Sequence, residues 1–335
     1  MTGGPVDLRS DTLTRPSPAM RRAMAEAEVG DDAYGEDPTV RRLEEAYAER
    51  VGKEAGLFLP SGTLANQVAL RAQAPAGTAV VAGRTSHVAR YEEGSAGVLQ
   101  VAQLLTVDDD RGCPDPAAVA EAVEGAQHHG VAVSLVCVED THMRAGGVPL
   151  DPDGLAAVAA CGVAVHVDGA RLCNAEVATG VPAAARVAAA TTVWTALSKG
   201  LGAPVGSVLA GPAEVVAEAR RWRHRFGGQL RQAGVLAAAG LVALEGVARL
   251  AEDHARASRL AEAVAERWPE ALDPGSVRTN MVVFPHPHPA AVLDHLAGAG
   301  VLGGTVAPRT LRLVTSLEVD DAGVDRARRA LASAP

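Results

Sequence analysis

The sequence predicts an α/β fold: a large domain on a mostly parallel sheet, then a small C-terminal α+β domain. Three observations carry this expectation. Short apolar runs rich in Val, Leu and Ala, over 79–82, 99–107, 131–139, 162–168 and 191–197, are interleaved with helical segments such as 117–126, the spacing of βαβ units. The run over 162–168 is nearly apolar and ends on Asp168, which sets a carboxylate at the carboxyl edge of the sheet, where open α/β folds hold ligands. The last third repeats the alternation on a smaller scale, with strands over 279–284 and 311–317 and helices over 290–299 and from Asp320.

At 335 residues the chain exceeds one ordinary domain, and the expected division is an extended arm over 1–20, a large domain over 21–245 and a small one over 246–335. Hydrophobic residues are 48% and aromatics only 3%, so the core must be built from Ala, Val and Leu. A net charge of −9 with no Lys/Arg run offers no phosphate footprint, which argues against nucleic acid and anionic membrane partners and leaves small polar substrates. The first nine residues lack an apolar core and nowhere do about 18 apolar residues run together, so a cytoplasmic protein is expected. Cys113, Cys161, Cys137 and Cys173 form no Cys-x-x-Cys pair and have no His at ligand spacing; they read as buried thiols, with no metal site.

In chain order, Val6 to Pro16 has no helical or strand period and reads as the arm. A helix over 19–27 is followed by the turn-rich Gly30-Asp-Asp-Ala-Tyr-Gly-Glu-Asp-Pro38, and Thr39 is the candidate N-cap of a helix to Val51. A short apolar strand from Leu57 passes through Ser61-Gly62-Thr63 into an amphipathic helix. Open N–H groups at a helix start, with the Thr63 hydroxyl and a glycine that permits close approach, suit a phosphate. His87 reads as a surface loop residue. The strand over 205–210 should be antiparallel or at an edge. A helix over 212–222 and a break at 226–232 precede a single long helix over 233–268 that bridges the domains, its turns with Arg249, Glu252, Asp253 and Arg256 facing solvent. His286 and His288, in a proline-rich loop, read as surface residues.

Lysine is scarce: Lys53 and Lys199 are the two lysines among 31 basic residues. Lys199 follows the strand over 191–197 and precedes Gly200-Leu-Gly-Ala-Pro-Val-Gly206, a loop of small residues with room for a flat ring. A lysine amine forms Schiff bases and an arginine does not. Asp168 at a sheet edge needs a partner: either a protonated ring nitrogen, with Arg171 placed to reach the same ring from its oxygen side, or Arg171 itself in a structural ion pair. A phosphate seat at Gly62 and Thr63, a ring acid, an oxygen-side arginine and a Schiff-base amine together describe pyridoxal 5'-phosphate (PLP).

Six ordered segments, Asp7-Leu-Arg-Ser-Asp-Thr-Leu-Thr-Arg-Pro16, Gly30 through Thr39, Phe58-Leu-Pro-Ser-Gly-Thr63, His166-Val-Asp-Gly-Ala-Arg171, Leu197 through Gly206 and Arg312-Leu-Val-Thr315, resemble the low-specificity L-threonine aldolases, fold-type-I PLP enzymes. The resemblance implies that Lys199 carries the Schiff-base link, His87 stacks on the pyridine face, Asp168 pairs with the ring nitrogen and Arg171 contacts its oxygen side. It further implies that Ser10 and Arg312 hold the substrate carboxylate, that His142 lies near the β-hydroxyl, and that the protein is a homo-oligomer, dimer or tetramer, whose loop over 31–37 serves a neighbour. Arg231 matches a further basic position. The base that takes the hydroxyl proton is His87, His142 or a water. The chain departs from the family pattern at Asp140, where an Asn is usual, at Ala203 and at Ser316; a buried Asp140 would add negative charge near the cofactor. The activity so implied is cleavage of L-threonine, L-allo-threonine or a related β-hydroxy amino acid to glycine and an aldehyde. Other PLP reactions at the same carbon, β-elimination or transaldol transfer, are the alternative, with a non-catalytic PLP-fold protein behind them. A nucleotide-binding reading fails because the Gly200–Gly206 spacing is not Gly-x-Gly-x-x-Gly and Pro204 spoils a helix start.

Overall fold

Val-, Leu- and Ala-rich runs too short for helices form one seven-stranded sheet in the computed structural model, which describes residues 4–110, 112–125 and 130–335. The first three residues of the arm, and Ala126 at the end of the expected helix 117–126, lie outside them. The strand order is Ala55–Leu59, Ser207–Gly211, Thr192–Ala196, Ala164–Asp168, Val133–Glu139, Ala79–Gly83, Gln103–Val107. From Thr192–Ala196 to Gln103–Val107 every pairing is parallel. Ser207–Gly211 is antiparallel to both neighbours, and it is interior: Ala55–Leu59 holds the edge that the sequence also offered to this strand. The register sets Glu139 beside Asp168 and Asp168 beside Trp194, a row that joins the last residues of two strands to the middle of a third.

The long helix over 233–268 is two helices, Gly234–Glu245 and Leu250–Arg267, bent by 57° at Gly246 with a 3-10 turn Val247–Arg249 between them. Glycine is a poor helix former, and the two halves need different orientations. The first is apolar nearly all round and mostly buried, with Gly240 so tight against Leu43 and Leu197 that a side chain there would force the leucine ends to shift. The second is amphipathic and packs its Ala257, Leu260 and Val264 into a second core, with Val282, Phe284, Leu313 and Val324. Asp253 is not on a solvated face: it is fully buried and accepts both Arg249 guanidinium nitrogens at 3.0 Å. No single described helix is long and apolar enough to cross a membrane.

The arm is tied down at several points. Val6–Asp7 pairs in parallel with Val301–Leu302, Leu8 is buried in the second core, and a 3-10 turn Asp11–Leu13 leads to helix Pro18–Ala25. The small sheet is antiparallel, Met281–Pro285, Thr310–Val314, Gly304–Ala307. Other expectations need local correction. Asp37, with Pro38 after it, caps helix Pro38–Val51 by accepting the Thr39 and Val40 N–H groups, so Thr39 lies inside the helix. Leu99 ends a short helix, Ser95–Leu99, ahead of a strand that starts only at Gln103. Cys137 and Cys173 are buried, whereas Cys113 and Cys161 are only half-buried. His286 is buried against the Trp268 ring, 5.0 Å between centroids, while His288 is exposed.

Candidate active site

A cavity of about 300 Å³ opens at the carboxyl edge of the sheet, and Ser10, His87, Asp168, Arg171, Lys199 and Arg312 are among its lining residues. Six residues chosen from segments far apart in the chain thus meet in one place. Gly62, Thr63 and His142 do not line it. The Trp194 indole, part of the wall, touches both the cavity and the Gly62–Gln73 helix start.

Lys199 follows strand Thr192–Ala196, with its amine 5.9 Å from the Trp194 ring centroid. Burial, and then the Arg171 charge, bring its pKa from 10.5 down to about 8, with Asp11 and Asp168 opposing them. Asp168 accepts the Ala170 N–H on Oδ1 and the Asn66 amide on Oδ2 at 2.8 Å. Arg171 does not pair with Asp168. It donates a fork to Asp11, Nε–Oδ2 2.8 Å and Nη2–Oδ1 2.6 Å, and Asn280 of the small domain donates to the same carboxylate. Burial alone would raise the Asp11 pKa, but Arg171 holds it down at about 2.

Arg312 reaches in from strand Thr310–Val314. Its Nη2 donates to the Arg9 carbonyl, while its buried Nε has no partner among the described residues. An orphaned guanidinium N–H at a cavity wall asks for an anion. Ser10 Oγ, beside it on the cavity wall, is engaged locally by the Thr12 N–H and hydroxyl.

Ser61 caps helix Gly62–Gln73 through Leu64 N, so the Gly62 and Thr63 N–H groups are left as first-turn donors without intrahelical partners. Gly62 has a second reason besides phosphate approach: a Cβ there would collide with the Trp194 ring. His87 is not a surface loop residue. It starts the short helix His87–Arg90, its backbone N–H donates to Glu139 at 2.8 Å, and its Nδ1 lies 3.0 Å from the buried Glu92 carboxylate. His142 is buried behind the wall: Nδ1 accepts the Ala145 N–H, and Nε2 lies 3.2 Å from Asp109. Asp140 is buried too, but Arg186 donates twice to its Oδ2 and Leu150 N–H to its Oδ1, so its charge is met on the far side of the strand end. Burial nonetheless pushes the Asp140 carboxyl up to about 6, against the pull of Arg186.

Asp11, Asn66, Glu92, Glu139 and Trp194 escaped the sequence reading as site residues. The one available signal was polar Asn66-Gln67 inside the otherwise apolar Leu64-Ala65 and Val68-Ala69-Leu70, since buried polar side chains require partners.

A cavity at the carboxyl edge of such a sheet, with a lysine of lowered pKa beside an aspartate and an orphaned arginine donor, defines a fold-type-I enzyme site for a cofactor aldehyde and an amino acid. The chain belongs to the Beta-eliminating lyase family, whose model matches residues 7–286, and within it to the low-specificity L-threonine aldolases. Low-specificity L-threonine aldolase 1 of Arabidopsis thaliana is 43% identical over 286 residues, 83% of this chain and 80% of that protein. In fold the chain is similar to threonine aldolase of Leishmania major, TM-score 0.81 at 20% identity over 98% of both chains. It is also similar to a structure of SPT with PLP, TM-score 0.78 at 15% identity, over 98% of this chain and 87% of that one. Family and fold neighbours are PLP enzymes, and the donor set fits that group: a reactive amine, a carboxylate for a ring nitrogen and a helix start for a phosphate.

Proposed function

We propose that this protein is a PLP-dependent aldehyde-lyase that cleaves L-threonine, L-allo-threonine or a related β-hydroxy-α-amino acid to glycine and an aldehyde. The observation that carries the reading is the convergence of Lys199, Asp168 and the unpartnered Arg312 Nε on one cavity. Bound there, PLP supplies an aldehyde for the amino group and a ring that takes up the electron pair left when Cα–Cβ breaks. In this reading Lys199 anchors the cofactor, Gly62 and Thr63 donate to its phosphate, and Asp168 holds a proton at its ring nitrogen. Arg171, oriented by Asp11, faces the oxygen side of the ring. Ser10 and the Arg312 fork receive the substrate carboxylate. His87, on the cavity wall, would stack on the ring and take the β-hydroxyl proton at Nε2. His142, with both ring nitrogens already engaged behind the wall, takes no proton from the substrate in this reading.

The description of the matched family favours one second reading, β-elimination. Incubating the purified protein with PLP and L-threonine separates the two. Glycine and acetaldehyde in equal amounts are expected; a 2-oxo acid with ammonia would overturn the aldolase reading. The same proposal takes the enzyme as a cytoplasmic homo-oligomer, dimer or tetramer, with its domain boundary at the Gly246 bend. Support for a neighbouring subunit comes from Tyr34, 78% exposed on the loop over 31–37, near which Arg231 pairs only loosely with Asp31.

A further inference from the structure

We infer that Glu92, clamped by Asn66 and Gln67, is the positioning residue that fixes the His87 ring with its proton on Nδ1, leaving Nε2 free to accept a substrate proton. The inference deepens the reading of His87 as the base and rests on it for its catalytic consequence.

The direction of every hydrogen bond around Glu92 follows from two groups that admit one role each. The Trp194 indole N–H only donates, and it lies 2.6 Å from Asn66 Oδ1, which fixes the Asn66 amide. Its NH₂ must then face the other way, donating to Asp168 Oδ2 at 2.8 Å and Glu92 Oε1 at 2.6 Å. The Gln67 carbonyl only accepts, and it takes the Gln100 NH₂ at 3.1 Å; the same NH₂ donates to Gln67 Oε1 at 2.8 Å. Gln67 therefore turns its own NH₂ to Glu92 Oε2 at 2.6 Å. Two amides thus donate to a carboxylate that is 3% exposed, the pattern of a group held in its ionised form. An ionised Glu92 only accepts, so the His87 Nδ1 at 3.0 Å carries the proton.

Other charged groups also face this ring. Asp168 from its strand end and Glu92 favour the charged imidazole, Lys199 opposes it, Glu139 holds the His87 backbone N–H, and the Tyr91 ring lies 5.7 Å away. Burial lowers the His87 pKa, but the Glu92 hydrogen bond and the two carboxylates outweigh it, so the net shift is upward. An upward shift makes Nε2 a stronger base and moves its acid limb to higher pH. Asn66 donates at once to Glu92 and Asp168, so one amide stands between the two carboxylates.

The test is site-resolved nitrogen NMR of His87 in the cofactor-free protein, together with Glu92→Gln. In the wild type the neutral ring should carry its proton on Nδ1. Glu92→Gln should lower the His87 pKa by about one pH unit or more. In the PLP-loaded enzyme the rising limb of kcat/KM should move down by the same amount, with a plateau at least about tenfold lower and substrate KM little changed. A wild-type ring with its proton on Nε2 would overturn the inference whether or not the variant folds, and so would a folded Glu92→Gln in which the His87 pKa stays in place. A protein that cleaves no amino acid while its His87 carries the Nδ1 proton would defeat the lyase reading and leave the Glu92–His87 assignment standing.

Discussion

At the scale of single residues, the chemistry is a matter of what burial does to Lys199. A solvated lysine is almost wholly protonated at neutral pH, and a protonated amine cannot attack an aldehyde. With its pKa near 8, a substantial fraction of Lys199 is free amine at pH 7.5. The rate at which cofactor-free protein captures PLP should therefore climb with pH and level off just above 8; a climb that continues to pH 10 would show an ordinary surface lysine. Lys199 and Asp168 were legible in the sequence because each is a residue type of distinctive chemistry at the end of an apolar strand. Asp11 was not, because its partner Arg171 lies 160 positions along the chain. Glu92 was hidden for the same reason: what marks it is the meeting of Asn66, Gln67 and His87 around one carboxylate, and no local period encodes that.

At the scale of elements, strand ends and helix starts place the donors, and glycine decides how close they come. Helix Gly62–Gln73 packs its first turn against the Trp194 ring, so that the indole at once lines the cavity and fixes the Asn66 amide. Gly62→Ala must push this ring aside, an overpacking that costs about 1–3 kcal/mol. Thermal melts and PLP titration should both register it, with a lower Tm and weaker cofactor binding; a variant that binds PLP as the wild type does would mean that the Trp194 contact is incidental. The sequence identified this turn and the parallel strands through the switch from apolar runs to capped helices. It missed the bend at Gly246, because the apolar stretch before it and the amphipathic stretch after it join without a proline, and only their burial in two different cores demands a change of direction.

At the scale of the whole molecule, the site exists because three parts of the chain close on one another, and Asp11 of the arm is where they meet: it accepts from Arg171 of the large sheet and from Asn280 beside the small one. Its folded pKa of about 2 lies below the usual 3.8, so the stability it contributes is fully present above about pH 4 and lost as pH falls toward 2. Asp11→Asn should cost about 3–5 kcal/mol at neutral pH by leaving Arg171 buried without its counter-charge, and should flatten the acid limb of stability between pH 4 and 2. Urea unfolding across that range checks both; an unchanged acid limb would mean the pair carries no pH dependence. Arg312 tests the closure from the other side. Arg312→Ala should lower kcat/KM for L-threonine by roughly 30-fold or more while PLP binding survives, and a change under about fivefold would leave it no role beyond its hydrogen bond to the Arg9 carbonyl. The most direct test of the central claim, that Lys199 is the cofactor-bearing amine of a PLP lyase, is the visible spectrum and L-threonine turnover of Lys199→Ala beside the wild type with added PLP. Loss of the lysine-linked absorption together with nearly all glycine formation is the predicted result; a Lys199→Ala protein with the wild-type spectrum and rate would contradict it.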